Sequence, residues 1–354
     1  MKSINSTNYY IHFQQAAFEK LNLYLIENKP SKLFVLVDEN TKKDCLPYFE
    51  SKLDTAITKE IIEIEAGEIH KNIDTCTKVW NILAEQNADR KSLLINLGGG
   101  MVTDLGGFVA STFKRGISFI NIPTTLLSMV DASVGSKTGI DLGTLKNLVG
   151  LFSNPEMVVI DTEFLATVSQ RELHSGLAEI IKYGLTYDVN LWETIKKSDP
   201  FSSSLKAIIY RSVEIKNEIV KQDLNENGIR KVLNFGHTIG HAIESYFLES
   251  VYKKTLTHGE AIAIGMIIEA YFSTQLFDFP KEELTRIKSK IIELFGQVSI
   301  GNEDYEPIID LMKYDKKNIG SQVNFVLLED LAKFKIDCSV PNELLIEGLN
   351  YYNE

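Results

Sequence analysis

The sequence predicts an α/β fold: an N-terminal Rossmann-like doubly wound parallel sheet, then a mainly α-helical C-terminal domain. Two observations predict it. In the first half of the chain, short β-branched runs alternate with segments of helical periodicity. From residue 171 to residue 277, nearly every segment has a 3.6-residue period and strand signals are scarce. We therefore expect an α/β domain over residues 1–169 and a helical domain over residues 170–354.

Each predicted element of the first half has a local reason. Short runs of apolar residues predict strands, and several end at a glycine, a proline or an acidic residue. Apolar residues three and four apart predict the helices between them. Strands that alternate with helices indicate a parallel sheet. The predicted strands cover 32–37, 58–65, 92–96, 117–122 and 157–161, and the predicted helices cover 73–86 and 102–112.

In the second half, helical periodicity covers residues 205–222 and 261–272, and Pro200 interrupts the helices. One short strand returns at 323–328, followed by a terminal helix.

Composition excludes several classes of function. The 354 residues are enough for two domains with large cores. A net charge of −11 argues against a general nucleic-acid surface. The longest apolar runs are far shorter than the roughly 20 residues of a membrane helix. Three widely spaced cysteines and an N-terminus without an apolar signal core lead us to expect a cytoplasmic protein with no membrane partner.

A glycine-rich segment, Gly98-Gly99-Gly100, follows one predicted strand and precedes a predicted helix. Glycines at that position let a phosphate approach the backbone, and the helix N-terminus favours its negative charge. Thr103 occupies the last glycine position of the usual dinucleotide motif. The segment is therefore either a nucleotide loop or a tight strand–helix turn.

Three further polar residues follow predicted strands and have two interpretations each. Asp38 could accept a ribose hydroxyl or could cap a helix. Thr124 and Thr125 follow Pro123 and could bind phosphate, although capping is favoured on these residues alone.

Lysines supply two other candidate features. Residues 131–147 (DASVGSKTGIDLGTLKN) form either a surface loop or a source of binding groups. Lys216 interrupts the apolar stripe of Ile209, Val213 and Val220. Its ammonium either reaches the surface or points inward as an anion-binding cation.

Three polar residues have the composition of a catalytic metal site: Glu179, His237 and His258. Two imidazoles and one carboxylate leave a fourth position of a zinc ion free for water or substrate. His241 lies four residues after His237 and would share its helix face. The spacing alone leaves open whether His241 is a second ligand or an acid/base.

Two long segments resemble the 3-dehydroquinate synthase family of sugar phosphate cyclases. They are residues 123–137 (PTTLLSMVDASVGSK) and 233–244 (LNFGHTIGHAIE). The resemblance extends over roughly residues 38–328.

This resemblance implies NAD, one divalent metal (zinc or cobalt), a small anionic sugar-phosphate substrate and a homodimer. It assigns the metal to Glu179, His237 and His258, and makes His241 an acid/base. NAD is assigned to Asp38, Asn40, Glu68, Lys71, Gly99, Gly100, Met101, Asp104, Thr124, Thr125, Lys137, Lys146, Phe164 and Thr167. Substrate binding and catalysis are assigned to Arg115, Asp131, Lys137, Asn147, Lys182, Lys216, Glu226, Arg230, Asn234, His241 and one of Lys316 and Lys317, with Lys317 preferred.

The implied reaction is a lyase reaction on 3-deoxy-D-arabino-heptulosonate 7-phosphate. NAD transiently oxidises the C5 hydroxyl, phosphate leaves by β-elimination, the hydride returns, and an aldol step closes the carbocycle. Another sugar-phosphate cyclase and a metal-dependent polyol dehydrogenase similar to glycerol dehydrogenase are the alternatives. A dehydrogenase would release NADH and would not need the three lysines 137, 182 and 216.

Overall fold

The computed structural model describes residues 1–143, 145–312 and 323–354. Its internal contacts divide the chain into two compact units. The first comprises Met1–Ser169 and Ile209–Lys221, and the second comprises Gln170–Ile208 and Gln222–Glu354. The sequence prediction assigned all of 170–354 to one domain, whereas the structure groups 209–221 with the first unit.

Nine strands and five helices form the part of the first unit that precedes residue 170, within the described residues. The strands are β1 (Ile4–Asn5), β2 (Tyr10–Phe13), β3 (Leu33–Asp38), β4 (Lys59–Ile64), β5 (Leu93–Gly98), β6 (Ser118–Pro123), β7 (Lys137–Leu142), β8 (Leu145–Phe152) and β9 (Met157–Ile160). The helices are α1 (Gln15–Asn28), α2 (Glu39–Asp44), α3 (Leu46–Lys52), α4 (Ile73–Glu85) and α5 (Gly100–Thr112).

A seven-stranded sheet, counted over the described residues, organises this unit. Its strand order is β1-β2-β9-β6-β5-β3-β4, and all neighbours except β1 and β2 pair in parallel. Strands are added on one side of β3 and then on the other, so the direction reverses between β3 and β5. Ligands of doubly wound sheets bind outside the carboxyl ends of the strands at such a reversal. Asp38 and Gly98 end these two strands.

One hydrophobic core of this unit lies where α4 and α5 pack on one face of the sheet. Phe34, Ile62, Val79, Leu94 and Leu105 are among its fully or almost fully buried members. Because parallel strands are covered on both faces, they read as continuous apolar runs, which is why β3 and β5 were predictable. The predicted α/β class is confirmed.

The segment 131–147, which the sequence left open, contributes to a hairpin. Strands β7 and β8 pair antiparallel as a separate two-stranded sheet. A five-residue π-helical turn, Ser128–Ala132, precedes them. The hairpin was missed because its glycines and charged residues interrupt the alternation that identifies strands.

The second unit is mainly helical, as predicted. It contains α6 (Gln170–Thr186), α7 (Val189–Lys197), the first four residues and the last residue of α8 (Leu205–Gln222), α9 (His237–Glu249), α10 (His258–Leu276), α11 (Lys281–Phe295), α12 (Asn302–Met312), α13 (Asn342–Asn353), β10 (Phe325–Asp330) and β11 (Lys333–Cys338). Strand β10 and helix α13 match the predicted C-terminal strand and helix. The antiparallel partner β11 was not predicted.

Helix α10 forms the centre of the second unit. Its buried residues occupy all sides of the helix, from Ala261 to Phe272. A helix that is apolar all round belongs in a protein core, and α10 contacts α6, α9, α11 and α13. Across the described ranges, none of the helices combines the length and apolar character needed to cross a membrane.

Candidate active site and metal centre

The second unit brings the three predicted metal ligands together. Glu179 lies on α6, His237 is the first residue of α9, and His258 is the first residue of α10. Oε1 of Glu179 lies 3.4 Å from Nε2 of His237 and 3.5 Å from Nε2 of His258. The sequence pattern alone had suggested this grouping across eighty positions.

Both imidazoles are held through Nδ1, so Nε2 of each faces Glu179. Nδ1 of His237 lies 3.1 Å from the carbonyl oxygen of Phe235. Nδ1 of His258 lies 3.1 Å from Oε2 of Glu244. Contacts of this kind fix the ring orientation and tautomer of metal-binding histidines.

The backbone before His237 is fixed by a buried carboxylate. Gly236 has a left-handed backbone (φ 78°), and its amide donates to Oε2 of Glu269 at 2.7 Å. A side chain at position 236 would meet Met266 and the carbonyl oxygen of Ile262. A glycine is therefore required where α9 begins against α10.

The donor set fits a divalent cation. Glu179 is fully buried, and within the described residues its Oε1 accepts no hydrogen bond. Its other oxygen, Oε2, accepts from the ammonium of Lys182. A buried carboxylate oxygen without a donor, facing two imidazole nitrogens, is chemically suited to a metal such as zinc.

The charged groups of the site shift the pKa values of its two histidines in opposite directions. Burial opposes ionisation of Glu179, but Lys182 and His237 hold its pKa well below the usual range. Burial and the nearby Lys182 lower the pKa of His237 to about 4. Burial also disfavours the charged form of His258, yet the carboxylates of Glu244 and Glu179 raise its pKa to about 10. The field of these two carboxylates thus attracts positive charge at His258.

His241 lies within the same cluster. Its ring is 5.2 Å from the ring of His237 and 5.7 Å from that of His258, centroid to centroid. One nitrogen from each of the three histidines can be chosen so that all lie within 4.8 Å of one another. Geometry therefore permits His241 either as a ligand or as a neighbouring acid/base.

Other predicted residues of the second unit each have a hydrogen-bond partner within that unit. Nδ2 of Asn234 donates to Oε1 of Glu226 at 3.0 Å. Arg230 is buried and donates from Nη1 to the carbonyl oxygen of Leu224 at 2.6 Å. Lys182 is also buried, against Glu179. Lys316 and Lys317 lie outside the described residues.

In the first unit, Lys71 is the centre of a charged network. The side chain of Lys71 is 3% exposed, and its Nζ lies 2.6 Å from Oδ2 of Asp104 and 2.6 Å from Oδ1 of Asn147. Glu68 lies 3.6 Å from Lys71 and 3.5 Å from Lys146. Burial lowers the pKa of Lys71, but the surrounding carboxylates outweigh burial and raise it. Five predicted residues thus lie together.

Lys216 and Asp131, both predicted to act on substrate, form a second group in this unit. Nζ of Lys216 lies 2.8 Å from Oδ1 and 2.6 Å from the carbonyl oxygen of Asp131. The side chain of Lys216 is only 7% exposed. The surface interpretation of this lysine is therefore wrong.

The carboxyl edge of the sheet gathers most of the residues assigned to NAD. The side chain of Asp38 accepts from the amide of Thr41 at 2.7 Å, so it caps α2. Oγ1 of Thr125 accepts from the amide of Ser128 at 3.2 Å. Both capping interpretations hold in this structure, and nucleotide contacts remain a prediction.

The glycine segment lies beside these residues. Gly99 is the N-cap of α5, and a Cβ there would lie 3.1 Å from Thr125. Thr124 and Thr167 both interact with the thiol of Cys45, whose pKa burial raises to about 11. The remaining residues of this group are the exposed Asn40, the half-buried Met101 and the buried Phe164, while Gly100 opens α5.

Two further predicted residues lie in and after the region that follows α5. Arg115 is exposed, in a three-residue turn after α5, with a left-handed backbone (φ 70°). Lys137 is half-buried at the start of β7.

Three residues beside the metal centre were missed by sequence reasoning: Glu244, Glu269 and Arg171. Glu244 and Glu269 are acidic residues within otherwise apolar helical stretches. A buried charge needs a partner, so this pattern could have identified both. Arg171 lies at a helix start, where a surface role is the usual interpretation.

Comparisons with known proteins show which family the sequence matches. A sequence profile described as 3-dehydroquinate synthase N-terminal matches residues 61–175, and one described as 3-dehydroquinate synthase C-terminal matches residues 176–318. The chain is similar to the 3-dehydroquinate synthase of Parabacteroides distasonis, with 42% identity over 338 residues and 95% of each chain covered.

Two solved structures resemble the fold at low sequence identity. A 2-deoxy-scyllo-inosose synthase complexed with carbaglucose-6-phosphate, NAD⁺ and Co²⁺ has a TM-score of 0.86 at 22% identity, with 99% of each chain covered. A 2-epi-5-epi-valiolone synthase from Streptomyces hygroscopicus with NAD⁺ and Zn²⁺ has a TM-score of 0.84 at 22% identity, with 100% of this chain and 99% of the other covered.

Proposed function

Since the chain belongs to the 3-dehydroquinate synthase family, we propose that it converts 3-deoxy-D-arabino-heptulosonate 7-phosphate to 3-dehydroquinate and phosphate. Phosphate leaves by β-elimination, which breaks a carbon–oxygen bond without water, so this is a lyase reaction. Aromatic biosynthesis through the shikimate pathway is the corresponding role.

One observation carries the proposal: the buried Oε1 of Glu179 facing Nε2 of both His237 and His258. This is the three-ligand set of a catalytic zinc or cobalt site with one position left for substrate. We assign the metal to these residues and treat His241 as an acid/base that transfers protons at its imidazole.

When bound, NAD would supply a reversible hydride acceptor and the metal a Lewis acid that lowers the pKa of the C5 hydroxyl. The protein's own groups position the substrate. Lys182 neutralises Oε2 of Glu179, which leaves Oε1 for the metal.

A doubly anionic substrate requires a cluster of cations in an acidic chain. We assign the anionic groups of the substrate to Lys182, Arg230 and Asn234 of the second unit and to Arg115, Lys137, Asn147 and Lys216 of the first. Asp131, Glu226 and one of Lys316 and Lys317 are further assignments to the substrate. Lys182, Lys216 and Arg230 are buried. Burial strengthens the attraction between these ammonium and guanidinium groups and an anion because water screens them less.

NAD is assigned to the carboxyl edge of the sheet. Asp38 and Gly98–Gly100 follow the two strands at which the strand order reverses, which is where doubly wound sheets bind nucleotides. The Lys71 network would extend this site, with Glu68, Asp104 and Lys146 around the buried ammonium.

The deciding experiment supplies purified protein with Co²⁺, NAD and the heptulosonate phosphate, and follows phosphate and NADH together. Phosphate release without net NADH is the expected result, because the cofactor is regenerated in each turnover. NADH accumulation without phosphate would instead identify a polyol dehydrogenase. Loss of phosphate release in a His258→Ala variant that no longer binds Co²⁺ would support the ligand assignment.

We also propose a homodimer. Leu142, Leu148, Val149 and Phe152 of the β7–β8 hairpin are all more than a third exposed. Several exposed large apolar side chains on one hairpin are typical of association sites. A monomer by light scattering at micromolar concentration would contradict the proposal, whereas a dimer that Phe152→Asp dissociates would assign the interface to this hairpin.

A cytoplasmic location is the corresponding proposal for the cell. Cys45, Cys76 and Cys338 are buried thiols that form no disulfide. Reduced cysteines of this kind are usual in the reducing cytoplasm.

A further inference from the structure

One face of α6 makes three successive contacts with the start of α10. Arg171, Ser175 and Glu179 are spaced four residues apart and therefore share this face. Arg171 contacts Glu260, and Oγ of Ser175 accepts from the amide of Gly259 at 3.0 Å. Glu179 faces His258 at the end of the row. The contact between two candidate metal ligands is thus the last of a series.

The first contact in the row is a bidentate ion pair. Nε of Arg171 donates to Oε1 of Glu260 at 2.8 Å, and Nη2 donates to Oε2 at 2.6 Å. Nη2 also donates to the carbonyl oxygen of Thr255 at 2.7 Å. A planar guanidinium that binds both carboxylate oxygens fixes direction as well as distance.

Glu260 also fixes the residue that precedes His258. Its Oε2 accepts from the amide of Thr257 at 2.7 Å, and Oγ1 of Thr257 accepts from the amide of Glu260 at 3.3 Å. This reciprocal pair is a capping box. The carboxylate held by Arg171 therefore also determines where α10 begins, which is at His258.

The middle contact leaves the two helices no room to approach further. A Cβ on Gly259 would lie 2.1 Å from the carbonyl oxygen and 2.4 Å from Cα of Ser175. The backbones touch at this position, so side chains cannot adjust the separation. Helix α10 could still slide along α6 or rotate against it, and the Arg171–Glu260 ion pair opposes both movements.

We propose that Arg171, through Glu260, is a positioning residue for the metal centre. It holds the first turn of α10 in register with α6, so that His258 presents Nε2 to the same point as Oε1 of Glu179. The inference rests on the proposed function, because it takes the metal site as given. Arg171 itself touches neither metal nor substrate in this assignment.

The Arg171–Glu260 ion pair contributes more to the position of the metal ligands than to the free energy of unfolding. The side chain of Arg171 is 40% exposed, and ion pairs between partly exposed groups contribute little to folding. Removing it should therefore change the metal site more than the free energy of unfolding. That difference separates a positioning residue from a merely structural one.

The test measures Co²⁺ affinity by chelator competition, together with the visible absorption spectrum of bound Co²⁺. Arg171→Met is expected to weaken Co²⁺ binding about tenfold, the lower end of the range for loss of an outer contact, and to alter the spectrum. Arg171→Lys keeps the positive charge but cannot bind both carboxylate oxygens as a planar guanidinium does. Its Co²⁺ affinity should lie between those of Arg171→Met and the wild type. Arg286→Met is the matched control, since Arg286 forms an exposed ion pair with Glu283 on α11.

The outcomes separate this inference from the proposed function. Wild-type affinity and spectrum in a folded Arg171→Met protein would overturn it while leaving the metal site intact. Wild-type protein that binds no Co²⁺ would overturn the metal site and this inference together. If Arg171→Met does not fold, Glu260→Gln is the second test. A glutamine at position 260 can keep the capping box with Thr257 while it removes the charge that pairs with Arg171. Unchanged Co²⁺ binding in this variant would again contradict the role of Arg171.

Discussion

Oε2 of Glu244 lies 3.1 Å from Nδ1 of His258, while Nε2 of the same ring lies 3.5 Å from Glu179. One imidazole is thus placed between two carboxylates on two different helices. The side chain of Glu244 is 8% exposed, so this contact is poorly screened by water. His237 has a main-chain carbonyl in the corresponding position, which makes the two histidines unequal.

This inequality predicts the effect of Glu244→Gln. An amide can still accept a hydrogen bond from Nδ1, but it removes the negative charge that makes the imidazole a stronger donor to the metal. We expect Co²⁺ affinity to fall about 10- to 100-fold, as measured by chelator competition. Glu249→Gln, at the exposed end of the same helix, is the control and should bind Co²⁺ like wild type. Equal affinity in both variants would mean that Glu244 is only a packing residue.

A second prediction concerns His241, whose ring lies within the histidine cluster. If the ligands are Glu179, His237 and His258, then His241→Asn should retain one Co²⁺ per chain and lose phosphate release. If His241 is a ligand, the same change should release the metal. Metal content by atomic absorption and phosphate release on one preparation distinguish the two assignments.

A third prediction concerns Lys216. Its ammonium is paired with Asp131, and it is assigned to the anionic substrate. Lys216→Met should therefore weaken substrate binding much more than NAD binding, measured by calorimetry on one preparation. Lys221→Met, on an exposed position of the same helix, should change neither affinity. Equal loss of both affinities in Lys216→Met would assign the lysine a structural role.

The sequence predicts strands of the sheet and the three candidate metal ligands, but it does not predict how those ligands come together. Strands β3 and β5 were predictable because buried parallel strands are continuous apolar runs. Glu179, His237 and His258 could be grouped because their polar character conflicts with their apolar neighbours. Their close approach follows from helix packing, which no local pattern encodes.

The sequence did not predict the residues that contact the candidate ligands and their neighbours. The contact partners of Glu244, Glu269 and Arg171 lie 14, 33 and 89 residues away in sequence, so no local pattern shows these contacts. The glycines of the β7–β8 hairpin interrupt the alternation that would predict its strands. Asp38 caps α2 in this structure, and the sequence pattern of a capping aspartate is the same as that of one that binds a ribose hydroxyl. Grouping residues 209–221 with the first unit likewise depends on tertiary contacts alone.

The last prediction tests how closely α9 must approach α10. A Cβ on Gly265 would lie 1.9 Å from the carbonyl oxygen of Gly236, the residue that precedes His237. Gly265→Ala should therefore force the helices apart, lowering the free energy of unfolding by about 1–3 kcal/mol and weakening Co²⁺ binding. Urea unfolding and chelator competition measure the two effects.

Gly240→Ala is the comparison variant for the contact between α9 and α10, because it introduces a milder steric conflict. Its Cβ would meet Cδ1 of Ile262 at 2.9 Å and the carbonyl oxygen of Ala261 at 3.1 Å, and the isoleucine end can move. Without steric conflict, alanine stabilises a helix interior by about 1 kcal/mol relative to glycine, so Gly240→Ala should cost much less than Gly265→Ala. A stabilised Gly265→Ala protein with wild-type metal affinity would contradict the backbone contact between α9 and α10.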